Sequence, residues 1–500
     1  MSNQKTGNRT QGQFVREFGL SAAVILFVSS IIGSGVYKKV AQMSIDTGGS
    51  PSLVLVAWLL AGLITLMGVL TTAEIGGVIT ESGGPYAYFK RIYGRMFAFY
   101  YGWSSFSVIQ SASIASISYV FAQSVNSLTP LPMLGGEWET FTFLNIFTPF
   151  ANIGVKVTAV ALIAILATVN YRGVKEGGWV SKIITIIVVA SLALIILLGL
   201  TISGGSVENV RQVGSAYPPA SFATNIGFIS VMFTAMLGAF WAYEGWLNLG
   251  FIGEEVKNPQ RTIPMALIIG IFIIISIYIG VNFTYLYIMP VDEIYDKLTV
   301  VDAEGLRTTN NNIAAIEIIR KFLGDSGAIF ISLLIIITTV GCTNATILTA
   351  ARVTHAMARH GLFSGRINYI HPRFNTPSKA LGIQAVWASI LVFSGSFDQL
   401  TDMLIFASFI FYGSIAAGVF VLRRKEPDVY RPYRVVGYPI VPLIFVLFCA
   451  VLIFNTLITR PREAGIGLFL ILIGTPFYFY WKRKYGSSET GVAKDLDIEK

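Results

Sequence analysis

Two short stretches combine the residue types and spacing that could do chemistry. One reads Ser29-Ser30-Ile31-Ile32-Gly33-Ser34-Gly35 and the other Phe240-Trp241-Ala242-Tyr243-Glu244-Gly245-Trp246, each inside a long apolar run. A glycine costs a helix interior about 1 kcal/mol, so two of them flanking Ser34 invite an unwound turn. Such a turn frees backbone N–H and C=O groups, which an apolar setting tolerates only where they line a cavity or a ligand. Freed N–H groups at a half-helix N-terminus suit a carboxylate, and freed carbonyls suit an ammonium. One broken helix can therefore hold both ends of an amino acid. Glu244 adds a charge where it costs about 2.5–3.5 kcal/mol or more, the mark of a side chain that faces a cavity. Three roles stay open for it. It can pair with a cationic substrate side chain. It can take a proton, since burial raises a carboxyl pKa. Or it can serve as a hydrogen-bond partner for the broken backbone, for Tyr243 or for Asn344.

The elements that position these stretches follow from composition. The chain has 500 residues, 54% hydrophobic and 13% charged, and a mean hydropathy of +0.66. That charged share is about half the usual one for a soluble domain. Apolar runs of roughly 20 residues, enough to cross a bilayer, recur at 18–43, 52–78, 92–126, 151–170, 179–202, 224–250, 262–288, 326–358, 379–395, 400–422, 437–458 and 464–481. These are the twelve expected spans. Continuous runs such as Ile183–Leu200 exclude the alternating strands of a closed barrel, so the spans must be helices. The two stretches fall in the first and sixth, the corresponding places of a five-plus-five inverted repeat. Paired interruptions of this kind are the best sequence pointer to a transporter site. The competing reading is that the glycines only let helices pack closely.

The net charge of +9 does not indicate nucleic acid, because the Lys and Arg sit in short loops. Lys90, Arg91 and Arg95, then Arg172 and Lys175, Lys257 and Arg261, Arg352 to Arg373, and Arg423 to Arg434 all fall on one side. The positive-inside rule then puts both termini in the cytoplasm. Lys38, Lys39, Arg460 and Arg462 are exceptions on the outer side. The 289–325 loop reads as an outer cap with a short helix near Ile313–Phe322. Residues 1–13 are polar without a signal-peptide pattern, and the tail from Ser487 reads as disordered. There is no phosphate-binding Gly-Lys-Ser/Thr loop. His355, His360 and His371 lie at or past the inner end of span eight and form no metal pattern. No cofactor or metal is expected, and no enzyme activity.

Four motifs in register carry a resemblance to a known family. They are Ser30-Ile31-Ile32-Gly33-Ser34-Gly35-Val36; Glu81-Ser82-Gly83-Gly84-Pro85-Tyr86 with Tyr88 and Tyr93-Gly94; Gly253-Glu254-Glu255-Val256-Lys257-Asn258-Pro259 with Arg261 and Ile263-Pro264; and Arg423 to Val435 with Pro427 and Arg431-Pro432. Over residues 15–435 the chain resembles the amino acid–polyamine–organocation superfamily, and within it the L-amino acid transporter group. The resemblance implies an all-α membrane protein of leucine-transporter-like fold, with twelve helices, helices one and six broken, and alternating access. It divides the chain into a tail at 1–17, repeats at 18–202 and 203–422, two further helices at 423–482, and a tail at 483–500. It implies L-amino acid substrates and a plasma (inner) membrane location. Sodium- or proton-coupled symport, or amino acid sensing without flux, are the alternatives.

The resemblance also assigns residues. Ser30, Ile31, Gly33, Ser34 and Gly35 match positions that grip the amino acid carboxylate, largely by backbone. Trp241 matches the aromatic that closes over substrate from outside, with a core aromatic as the bland alternative. Asn344, Phe409 and Tyr412 fall where relatives line the pocket, or else pack between helices. With Tyr243 and Glu244 these, Tyr412 apart, make the candidate substrate-binding set. Gln110 is polar at mid-span without a fixed direction. The family's lysine in span five falls on Val188, and Lys182 reads as a snorkelling residue. Thr346 and Thr349 could offer hydroxyls to sodium, but membrane threonines more often bond their own backbone. Animal members join a partner glycoprotein through a cysteine in the loop after span three. This loop has none, so no disulfide-linked partner is expected.

Overall fold

The computed structural model describes residues 19–79, 84–143, 147–173, 177–214, 225–247, 256–301 and 307–485, with the side chains of 177–182 and 225–226 excepted. The tail at 1–17 and residues 486–500 of the other tail therefore lie outside the described residues, as do Glu81–Gly83, Gly253–Glu255, the expected end of span six at 248–250 and the Lys182 side chain; residues 483–485 continue the last helix. The described chain is helical apart from one two-stranded hairpin and short connections. Among the described residues, nine helices are long and apolar enough to cross a membrane. Three shorter apolar helices, Leu20–Ile31, Gly227–Tyr243 and Ser378–Ser394, fall in the first, sixth and ninth expected spans. Two of these three carry the candidate site, one ending at Ile31 and the other at Tyr243.

Local chemistry sets the boundaries. Pro51–Val78 starts on Ser50, whose side chain accepts from Leu53 N, with proline at the first turn, where a missing N–H costs nothing. Phe397–Lys425 starts with a capping box made by Ser396 and Gln399. It takes in residues 397–399, which the sequence reading left in a loop. Pro85–Tyr93, an inner helix between spans two and three, is bounded by Gly84 and Gly94, both at positive φ. Span three, Arg95–Leu128, contains a π-helical segment at Ser105–Ile109, and the last span breaks into Pro461–Leu472 and Gly474–Tyr485. Neither irregularity is visible in the apolar pattern.

The outer cap is richer than expected. Helix Val291–Leu298 leads into an antiparallel hairpin of β1 (Thr299–Val301) and β2 (Arg307–Thr309). A helix then starts at Ala314 and bends at Gly324 (φ 64°) into the long eighth span, which ends at Arg359. Packing puts Pro259–Ile288 between Pro51–Val78 and Leu20–Ile31, and Arg95–Leu128 against Ala314–Arg359.

The motif after span ten proves to be a clamp. Arg423 donates twice to Glu74, at 2.8 and 2.7 Å, and Val435 N donates to the same carboxylate at 2.7 Å. Arg431 stands 3.4 Å away. Glu74 is only 1% exposed, so its charge depends on these partners. The clamp ties the C-terminal end of Pro51–Val78 to Phe397–Lys425 and its following loop.

Candidate functional site

The first break is visible in the backbone. The opening helix ends at Ile31, Ile32 is extended (φ −70°, ψ 102°), and helix resumes at Gly35. It then runs with one irregularity, at Lys39, to Asp46. The helix Asn225–Tyr243 likewise ends where Glu244, Gly245 and Trp246 turn, with Gly245 at φ +107°. That φ is open to glycine at little cost and strains most other residues.

The two breaks meet. Gly35 lies so close to the other helix that a Cβ would stand 2.6 Å from both Cα and Cβ of Ala242. Its missing side chain is thus used for helix contact. The Ser30 hydroxyl donates to Phe27 O at 2.8 Å and reaches Gly245 O at 3.3 Å. Tyr278, on Pro259–Ile288, brings its hydroxyl to 2.8 Å from Ala242 O and 3.2 Å from Ile31 O. One phenol therefore serves the last carbonyls on both sides of the junction. Nothing in the sequence marks Tyr278, because an aromatic in an apolar helix reads as core. Cys342 adds a weak donor, its Sγ 3.7 Å from Ile32 O.

Glu244 is held by span ten. The Tyr412 phenol donates to Glu244 Oε1 at 2.5 Å. The partners expected for a structural role are engaged elsewhere: Tyr243 donates to Trp58 O at 3.3 Å, and Asn344 Oδ1 accepts from Asn170 Nδ2 at 2.8 Å. Asn344 thus links spans four and eight. Phe409 packs at a tilt against Phe240, centroids 4.5 Å apart, and edge to face against Tyr412 at 5.6 Å, while Trp246 lies 4.7 Å from Tyr412. Trp241 is buried and meets Phe397 edge to face at 6.0 Å. Thr346 and Thr349 donate to Cys342 O and Ala345 O of their own helix. Val188 is buried, with no charge at the place of the family's lysine. The Tyr86 hydroxyl and His360 Nδ1 are 3.1 Å apart.

Burial separates the residues that border open space from those that hold the frame. Ser29, Ser30, Gly33, Glu244 and Cys342 are half-buried, whereas Ile31, Ile32, Ser34, Gly35, Tyr243 and Trp246 are buried. The Ser34 hydroxyl and Trp241 Nε1 are buried without a hydrogen-bond partner among the described residues, a condition that a bound polar group would relieve. The arrangement offers an ammonium a set of carbonyls, and it offers a second polar group one carboxylate.

The sequence model of the amino acid permease family matches residues 18–477. The chain is 30% identical over 474 residues to the serine/threonine exchanger SteT of Bacillus subtilis, covering 94% of this chain and 98% of that one. It is 30% identical over 466 residues to the mouse b(0,+)-type amino acid transporter 1, covering 93% and 87% of the two chains. Against the human large neutral amino acids transporter small subunit 2 the identity is 30% over 476 residues, or 94% and 81%. A family model that matches residues 18–477, joined to a relative 30% identical over 98% of its own length, leads to one assignment: the chain belongs to the amino acid permease family.

Proposed function

We propose that the protein carries L-amino acids across the plasma (inner) membrane as an exchanger or facilitator working by alternating access. The observation that carries this reading is the junction of the two breaks at Ser30, Gly245 and Tyr278, beside half-buried Gly33 and Glu244. The substrate carboxylate sits on the turn at Ser30, Ile31, Gly33, Ser34 and Gly35. Its ammonium lies toward carbonyls of the same junction. Trp241 closes over it, while Tyr243, Glu244, Asn344 and Phe409 complete the surroundings of the side chain. All twelve apolar segments cross the bilayer, with repeats at 18–202 and 203–422, two added helices at 423–482, and tails 1–17 and 483–500 in the cytoplasm.

The relatives support the transport class: one is named an exchanger, another an amino acid transporter. The name of a third, "small subunit", speaks of an assembly for that protein. Here the two cysteines, Cys342 and Cys449, are free and lie inside spans, which supports a protein without a disulfide-linked partner. Purified protein in sealed proteoliposomes loaded with amino acids tests the reading. Saturable uptake or exchange of a labelled L-amino acid is expected, and its absence for every amino acid tried would sink it.

One observation favours a second role within transport. Glu244 borders open space beside its bond to Tyr412, so it reads a cationic substrate side chain or carries a proton. A competition panel of neutral and cationic amino acids, with and without a pH gradient, separates these two. Repeating it with and without sodium tests the symport alternative.

A further inference from the structure

The clamp at Glu74 and the second break are built on the same two helices. Consecutive residues of that break are gripped by different ones. Tyr243 donates to Trp58 O of Pro51–Val78 at 3.3 Å, and its hydroxyl lies so close to Gly62 that a Cβ there would stand 2.7 Å away. Glu244 accepts from Tyr412 of Phe397–Lys425 at 2.5 Å. These two helices pack against each other, and Glu74 and Arg423 lock them together at their C-terminal ends. The lock is two-pronged: Arg423 Nε and Nη2 donate to separate oxygens of Glu74, and the guanidinium lies 3.7 Å from the centroid of the Tyr438 ring. Nearby, Arg91 pairs with Glu426 at 2.7 Å and Lys425 donates to Ile92 O at 2.9 Å, so the end of the helix is also tied to Pro85–Tyr93. Phe397–Lys425 is helical throughout. Tyr412 and Arg423 lie about three turns, roughly 16 Å, apart on one side of it.

We propose that Glu74 and Arg423 are positioning residues for Glu244: their two-pronged contact sets the register of Phe397–Lys425 along Pro51–Val78, and that register brings the Tyr412 phenol to the Glu244 carboxylate. The inference rests on the transport reading above for its effect on uptake, and on geometry alone for its effect on Glu244. A buried ion pair is a poor source of stability, since apolar residues of similar volume often hold a fold as well. What it supplies is direction. A guanidinium fork meets a carboxylate in a fixed planar geometry. Apolar burial is non-directional and does not by itself fix how far one helix slides along another. The need for a fixed register is at the break. A hydrogen bond of 2.5 Å is lost once its partners separate by about 1 Å more, and an unbroken helix carries a shift of its end to Tyr412 almost undiminished. Tyr243 stays with Pro51–Val78, so a slide of one helix against the other pulls Tyr243 and Glu244 in different directions.

Arg423→Lys tests this, because it keeps the charge and gives up the fork. In proteoliposomes the half-saturation constant should rise several-fold for an amino acid whose uptake Glu244→Gln impairs, and stay unchanged for the others. On a Tyr412→Phe background the same substitution should add nothing, because the bond it disturbs is already gone. No rise, an equal rise for every amino acid, or effects of the two substitutions that add in full would overturn the proposal. Should Arg423→Lys fail to fold, Glu74→Asp draws the carboxylate back by one methylene with the charges kept, and the same outcomes apply to it. Wild-type protein that carries no amino acid would sink the transport reading instead. In that case, or if Glu244→Gln impairs the uptake of none, infrared spectroscopy of purified protein decides the register without flux. The carboxyl bands of Glu244, isolated as the difference from Glu244→Gln, should move in Arg423→Lys in the direction they take in Tyr412→Phe. Bands left at their wild-type positions would refute the proposal.

Discussion

The two breaks solve the same problem by different means. In the first, Ile31–Gly35, the interruption is made by backbone, and the freed carbonyls of Ile31 and Ile32 are served by groups from other helices, Tyr278 and Cys342. No charge lies in that stretch. In the second, the turn carries its own charge on Glu244, fixed by one strong hydrogen bond from Tyr412. On the reading proposed above, the first break is a constant frame, suited to the carboxylate and ammonium that every amino acid shares. The second is a side-chain device, suited to the part that differs between substrates. This division of labour makes the first break intolerant of steric change and the second sensitive to chemical change.

The comparison breaks most readily at Gly35. A Cβ there would meet the Ala242 backbone at 2.6 Å, and neither partner can move without shifting a helix. Overpacking of this kind costs about 1–3 kcal/mol and occasionally more. Gly35→Val is therefore expected to abolish uptake and to lower the melting temperature of purified protein. Normal uptake by this variant would show that the helices do not meet as described. At the second break, Glu244→Gln keeps the shape and removes the charge. Loss of cationic uptake, or of pH dependence, is expected with neutral uptake largely kept; if neither property changes, the residue's role is structural. Tyr412→Phe comes next. A hydrogen bond to a charged group contributes about 1.5–3 kcal/mol, so the half-saturation constant for the substrate that depends on Glu244 should rise roughly 10- to 100-fold. Substrates indifferent to Glu244 should be unaffected in the same competition assay.

How much of this was legible in the sequence differs between the same two regions. Glu244 announced itself, since a carboxylate in an apolar run has few bland explanations. The Gly33–Gly35 pair announced an interruption, and the helix does stop at Ile31 and resume at Gly35. What those glycines do was less legible. Gly35 makes room for Ala242, a contact between residues more than 200 positions apart that no local pattern encodes. Tyr278 was invisible for a related reason: its ring fits the apolar period of its helix, and only its hydroxyl, aimed at two distant carbonyls, sets it apart. Lys38 and Lys39 count as exceptions to a topology rule, because their partners, Gln123 for Lys38 and Asp398 and Thr401 for Lys39, lie 85 and about 360 positions away. Asn344 bonds Asn170, a contact between spans four and eight that its sequence reading left open beside a place at the site. Charges and glycines are legible because they violate an apolar pattern; residues that obey the pattern and act through one polar atom are not.

The smallest effects belong to the groups that serve the first break. Tyr278→Phe removes a neutral hydrogen bond of about 1 kcal/mol net, so uptake of every substrate should weaken by roughly five-fold. The loss should be the same for neutral and cationic amino acids, because Ile31 O and Ala242 O belong to the shared frame. A loss confined to one substrate class would move Tyr278 to the second device and blur the distinction between the breaks. Cys342→Ala should do less still. Its thiol is a weak donor at 3.7 Å from Ile32 O, and Gly33 beside it leaves space that water can fill. Half-saturation constants should change by less than about two-fold, well inside the range of a single weak contact. A large effect from so slight a substitution, measured in the same uptake assay, would mean that Ile32 O meets the substrate and that the thiol shapes its seat. The first break would then read side chains as the second does.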